Sequence, residues 1–162
     1  MGLSVLGIFH TVIGVVAIGA ALVSLVRFGK IDLGSVSGKI YFWFTTVTSL
    51  TALGLSRNGG FNIGHVFSLF IVVLITIAYY LNRKKGYAKK ARYFENFLLS
   101  FSLFLSMIPT VNETLTRIPV GKPLAKAPTD PIIAQTLLVF LLLFVSGSVY
   151  QFIKQKRLNQ ID

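Results

Sequence analysis

The chain has 162 residues, of which 54% are hydrophobic and only 13% charged. A soluble globule carries about 25% charged residues, so too little polar surface exists here to wrap one. The net charge of +11 is expected on loops at a membrane surface rather than on nucleic acid, and a chain without cysteine has no disulfide, iron–sulfur cluster or thiolate metal site.

A membrane-spanning helix needs about 20 mostly apolar residues. The first such run covers residues 3–26. No charge precedes Arg27, and the run exceeds the roughly 7–15 apolar residues of a cleaved signal, so this helix is expected to be retained. Met1-Gly2 opens like a myristoylation signal, but Leu6 stands where Ser or Thr is required. The second run, residues 39–55, is short and carries Thr45, Thr48, Ser49 and Thr51. The third covers residues 61–81, the fourth 93–113 and the fifth 131–153. Between the last two, Pro119, Pro123, Pro128 and Pro131 predict an extended, non-helical connection. Unpaired backbone amides in lipid cost several kcal/mol each, which demands helices. The expected fold is all-α: one transmembrane domain over residues 1–162, a bundle of five helices.

Orientation follows from the basic residues of the short loops. One side collects Arg27, Lys30, Lys39, Arg83, Lys84, Lys85, Lys89, Lys90, Arg92, Lys154, Lys156 and Arg157; the other has Arg57, Arg117, Lys122 and Lys126. The richer side is expected in the cytoplasm, which puts Met1 outside and Asp162 inside. Tyr41, Trp43, Tyr79, Tyr80, Tyr87 and Tyr93 fall near that boundary as an aromatic belt. The loop from Arg83 to Arg92 either sets topology alone or also binds anionic lipid headgroups. Asn112-Glu113-Thr114 matches a glycosylation sequon, but it sits too near the expected membrane surface to be modified.

Ionisable groups inside a bilayer are costly and are functional candidates for that reason. The two histidines, His10 and His65, both fall within predicted spans and in the same outer leaflet. His10 lies roughly 10 Å deep at about 1.5 Å per residue. Gly7, His10, Gly14, Ala17 and Ala21 form one stripe of the first helix, and a stripe of small residues is expected to pack against a neighbour. Asn62, His65, Ser68 and Thr76 make one side of the third helix polar. Thr51, Asn112, Glu113 and Gln135 come from other helices to the same end. A pocket around His10 and His65, lined by Thr51, Asn112 and Gln135, is therefore expected at the outer mouth.

Three ligand chemistries suit such a pocket. Two imidazoles on facing helices can ligate haem b, with Arg57 or Arg117 near its propionates. His10, His65 and Glu113 form a donor set for a divalent metal. A quinone or lipid-like molecule could hydrogen-bond to His and Glu at an apolar mouth. Against all three stands a purely structural reading, in which these groups hydrogen-bond across helices and Glu113 pairs with Arg117 one turn on. Glu95 is expected in a solvated ion pair among Lys90 and Arg92. No GxSxG, P-loop or GxGxxG motif is present, so no enzyme class is indicated.

Three features carry a resemblance. They are His10-Thr11 in the first helix, Gly64-His65-Val66 opening the third, and the stretch 109–119 with its Pro-rich continuation. The chain resembles uncharacterised small bacterial multi-pass membrane proteins. It is also similar to membrane proteins with a His-Arg-x-x-Gly-Arg-x-Tyr signature between the first two helices. Of that signature the stretch 34–41 keeps Gly38 and Tyr41 and lacks the histidine. The resemblance implies a protein of the bacterial inner membrane and no particular activity. Functional expectations are thus a small-ligand, metal or haem protein, an accessory subunit of a larger membrane complex, or a small transporter or channel acting as an oligomer.

Overall fold

A computed structural model describes residues 4–55, 60–84 and 89–161. Within them the chain forms helices α1 (Val5–Phe28), α2 (Val36–Ala52), α3 (Ile63–Arg83), α4 (Lys89–Arg117) and α5 (Pro131–Ile161). The expected helices are all present, with moved ends. Ser35 caps α2 by accepting from Gly38 N at 3.0 Å, which starts the helix a turn earlier than hydropathy indicates. α4 and α5 run on past their apolar segments through Lys89 and Arg117, and through Lys154 and Arg157.

Local signals set the other ends. Ser4 caps α1 through Gly7 N, and Gly29 closes it at φ 71°, donating its N–H to Leu25 O at 2.8 Å. That left-handed conformation favours glycine. Pro109 lies inside α4 and denies a backbone donor to the turn before it. Around it Ser106 Oγ donates to Ser102 O and Thr110 Oγ1 to Ser106 O.

Each helix packs on its neighbour in sequence, α1 on α2, α2 on α3, α3 on α4 and α4 on α5. The pairs are antiparallel: His10 meets Thr48, Phe42 stacks on Tyr79, Asn82 meets Glu95, and Asn96 meets Gln155. All basic loops of the expected cytoplasmic side therefore gather at one end, called here the basic end. There Lys154 Nζ donates to Phe28 O at 2.8 Å, tying α5 to the end of α1. The expected small-residue stripe does face α2: Gly7, Ala17 and Ala21 are buried, continued by Ser24. Gly14 lies against the Thr48 side chain.

The core is a chain of contacts. Near the basic end it joins Ala17, Ala21, Ile31, Tyr41, Ile75 and Leu99. Phenylalanines 97, 101, 104 and 144 link α4 to α5 in the middle. Val111, Ala125 and Ile133 close the far end. The Pro-rich connection is non-helical as expected but not extended. It folds back, so that Ala125 N donates to Leu115 O at 2.9 Å and Ala125 is buried.

Four helices, α1, α3, α4 and α5, are long and apolar enough to cross a membrane. α2 has 17 residues, about 25 Å at ~1.5 Å per residue, less than a hydrocarbon core of about 30 Å. Among the described residues four helices are thus candidate spans, and α2 falls at the short end of the spanning range.

Candidate functional site

His10 sits on α1 facing α2. Its Nδ1 lies 3.0 Å from Thr48 O and 3.1 Å from Thr51 Oγ1. A carbonyl oxygen only accepts, and Thr51 Oγ1 itself donates to Thr48 O at 2.9 Å. The proton of the neutral ring is therefore on Nδ1, leaving Nε2 with its lone pair. This bond staples α1 to α2.

His65 is bound differently. Asn62 caps α3, its Oδ1 accepting from Gly64 N at 2.8 Å and His65 N at 3.3 Å. The His65 ring reaches back, and Nδ1 accepts from Asn62 N at 3.2 Å. This is a capping box with imidazole in the place usually held by Glu or Gln. Because Nδ1 accepts a backbone N–H, the ring proton must be on Nε2. That Nε2–H is buried and has no hydrogen-bond partner. The ring packs at 5.3 Å from that of Phe61.

The two histidines thus stand in opposite tautomers on separate partners. A haem held between them would need a lone pair on both Nε2 atoms, and the His65 cap places a proton there. The donor set does not fit an axial pair. Nor does a metal triad form: Glu113 is half-exposed and ion-paired with Arg117 one turn on. Among the described residues no group of three or more His, Cys, Asp or Glu side chains could hold a metal ion. Thr51 is bonded to His10 and Thr48, and Gln135 is exposed. Arg57, the suggested propionate partner, and Lys85 of the basic loop lie outside the described residues.

Asn112 is the one expected lining residue that comes level with His65. Starting from the Asn82–Glu95 contact, equal steps back along α3 and forward along α4 reach His65 and Asn112. Asn112 Oδ1 is also buried without a partner. A donor on α3 and an acceptor on α4, both buried and unpaired, thus stand at similar depth.

The richer polar cluster lies at the basic end, where hydropathy pointed to none. Glu95 is buried rather than solvated. It is 1% exposed, and its Oε1 accepts from Asn82 Nδ2 at 2.6 Å. Burial of a carboxylate is tolerated only with such donors. Tyr41 OH meets Ser102 Oγ at 2.7 Å, both buried. Along the α4–α5 seam Ser100 Oγ donates to Gln151 Oε1 at 3.0 Å, and Asn96 Nδ2 to Gln155 Oε1 at 3.4 Å. Asn96, Ser148, Gln151 and Phe97 line a small crevice on one side of this seam. Lys30, Lys154 and Gln155 line a second, with Asn96 and Gln151 shared between the two. Neither crevice touches His10 or His65. The sequence did hold a signal: Gln151, Gln155 and Asn159 recur every fourth residue of α5, opposite Asn96 and Ser100.

No family model matches this chain, and neither the curated proteins nor the solved structures contain a match to it. The resemblance drawn from His10, His65 and the Pro-rich loop therefore receives no support from these comparisons, and the residues themselves carry the functional argument.

Proposed function

We propose that this chain is an integral protein of the bacterial inner membrane, its basic end in the cytoplasm, serving as an accessory subunit that packs against other membrane helices. The observation that carries this reading is α5. Only 6% of its most apolar stretch is buried. Leu138, Val139, Leu141, Leu142, Leu143 and Val145 are all exposed, spread over more than half of the helix circumference at about 3.6 residues per turn. In water so large an apolar face is untenable; in lipid or against another helix it is at home. α1, at the other end of the helix order, is 17% buried over its own stretch. His10 pairs α1 with α2 and His65 caps α3, which suits a packing role.

The test is solubilisation of native membranes in a mild detergent, followed by native mass spectrometry of the tagged chain. A stoichiometric partner or a defined homo-oligomer is expected. A monomer that purifies alone from intact membranes would overturn the subunit reading. Release of the chain by alkaline carbonate would overturn the membrane reading itself.

A second reading rests on the unpaired His65 Nε2–H and Asn112 Oδ1. They suit a ligand group that both accepts and donates, such as a hydroquinone hydroxyl. A quinone that shields the His65 ring from chemical modification is the expected result. Equal reactivity with and without quinone would sink it.

A further inference from the structure

The direction of the hydrogen-bond chain on the α4–α5 seam is fixed at one end by a backbone carbonyl. Asn159 Nδ2 donates to Lys89 O at 3.3 Å, so its Oδ1 must accept, and it accepts from Gln155 Nε2 at 2.8 Å. Gln155 Oε1 then accepts from Asn96 Nδ2. Every amide is oriented in turn, and the chain ends at Asn96 Oδ1, a buried acceptor without a partner. Asn96 is 5% exposed and lines both crevices. Beside it Ser148 Oγ is likewise buried and unpartnered. Gln151, whose Oε1 accepts from Ser100, lines both crevices with Asn96. The buried atoms that remain to be satisfied are thus an amide oxygen, which only accepts, and a serine hydroxyl, and a ligand hydroxyl complements the first by donating to it.

Two lysines lie beside that point. Lys30 and Lys154 line the α1 side of the seam. Lys154 has spent one of its three protons on Phe28 O, and Lys30 is partly offset by Asp32 at 3.6 Å. The aromatic rings of Tyr93, Phe97 and Phe152 form the other side. Cations, hydroxyl-seeking amides and an apolar wall meet where α5 passes from its apolar segment to its basic end. That is the level at which a phospholipid headgroup joins its tails.

We propose that this seam binds an anionic phospholipid whose headgroup carries free hydroxyls, the phosphate between Lys30 and Lys154 and a headgroup hydroxyl on Asn96 Oδ1. The inference rests on the membrane reading above. A zwitterionic amine headgroup would bring a third cation against the two lysines, and a bare phosphate headgroup would leave Asn96 unsatisfied.

The experiment titrates the detergent-solubilised full chain with phosphatidylglycerol, phosphatidic acid and phosphatidylethanolamine of identical tails, reading the thermal midpoint. Phosphatidylglycerol is expected to raise it by about 5 °C or more at a concentration about 100-fold above its Kd. Phosphatidic acid should do less and phosphatidylethanolamine least. Asn96→Leu should make the first two equal while keeping both above the third. Lys30→Gln should lower the response to both anionic lipids. Equal stabilisation of the native chain by phosphatidylglycerol and phosphatidic acid would overturn the proposal, since only charge would then be recognised. The comparison on the unaltered chain stands even if Asn96→Leu does not fold. A chain that stays soluble without detergent marks failure of the membrane reading instead.

Discussion

Gly38 lies in the first turn of α2, where a methyl group has nowhere to go. A Cβ placed on it would overlap Asp32 O and Asp32 C and stand 2.9 Å from Leu33 N. All three are backbone atoms, and they are held. Asp32 N accepts no alternative position easily, because it donates to Ser24 Oγ at 2.9 Å, while Asp32 O accepts from Ser35 N at 2.9 Å and Ser35 Oγ at 2.7 Å. Ile31 and Leu33 anchor the same loop in the core at 1% and 5% exposure. Relieving the overlap in Gly38→Ala means pulling the loop away and losing two or three of these bonds, about 1 kcal/mol each, together with the Ser35 cap at about 1 kcal/mol. The expected loss is about 3 kcal/mol, a fall of roughly 6–12 °C in the thermal midpoint of a chain this size. The assay is heating of the detergent-solubilised protein with size-exclusion readout of the folded peak. Gly19→Ala and Gly147→Ala are the controls, since nothing lies within 4 Å of either added Cβ. They should be neutral or gain up to about 1 kcal/mol of helix propensity. A Gly38→Ala midpoint within about 2 °C of the parent would refute the reasoning, because that turn would then have room to relax.

The α3 cap makes a second forecast: Asn62→Ala should cost about 1 kcal/mol, and His65→Gln, which keeps an acceptor at the third helical position, should cost less than His65→Ala. Midpoints ranked in the reverse order would remove the imidazole from the capping box. The two rings should also differ spectroscopically. With nitrogen-15 histidine at a pH where both are neutral, His10 should carry its proton on Nδ1 and His65 on Nε2; one shared tautomer would contradict the hydrogen bonds on which the argument against haem rests. For orientation the cysteine-free chain is convenient, since single cysteines at Lys122 and Lys156 can be labelled in intact cells by a membrane-impermeant maleimide. Labelling at the first position and protection at the second are expected, and the opposite result would invert the basic end.

Helix number and type were legible because α1, α3 and α5 are near-continuous apolar runs, and such runs must be helical if they are to satisfy their own amides. The packing stripe on α1 was legible for a related reason: Gly7, Gly14, Ala17 and Ala21 share one face, and small side chains are useful only where another backbone approaches. The Glu113–Arg117 pair followed from local spacing. Each of these is a property of residues within a single helix. What the histidines do was decided only by tertiary structure. His10 bonds a carbonyl on the next helix, while His65 caps its own, and hydropathy assigns both to the same leaflet without distinguishing a lone pair from a proton. Glu95 and the amide row of α5 were misjudged on the same ground. Charge near a helix end suggests solvent until the neighbouring helix is present, and there Asn82 and Asn96 turn a wet boundary into a buried seam. Composition and periodicity determined that helices form and which faces they hide; partners across the seams, set by register between distant segments, determined which polar atoms remain unsatisfied.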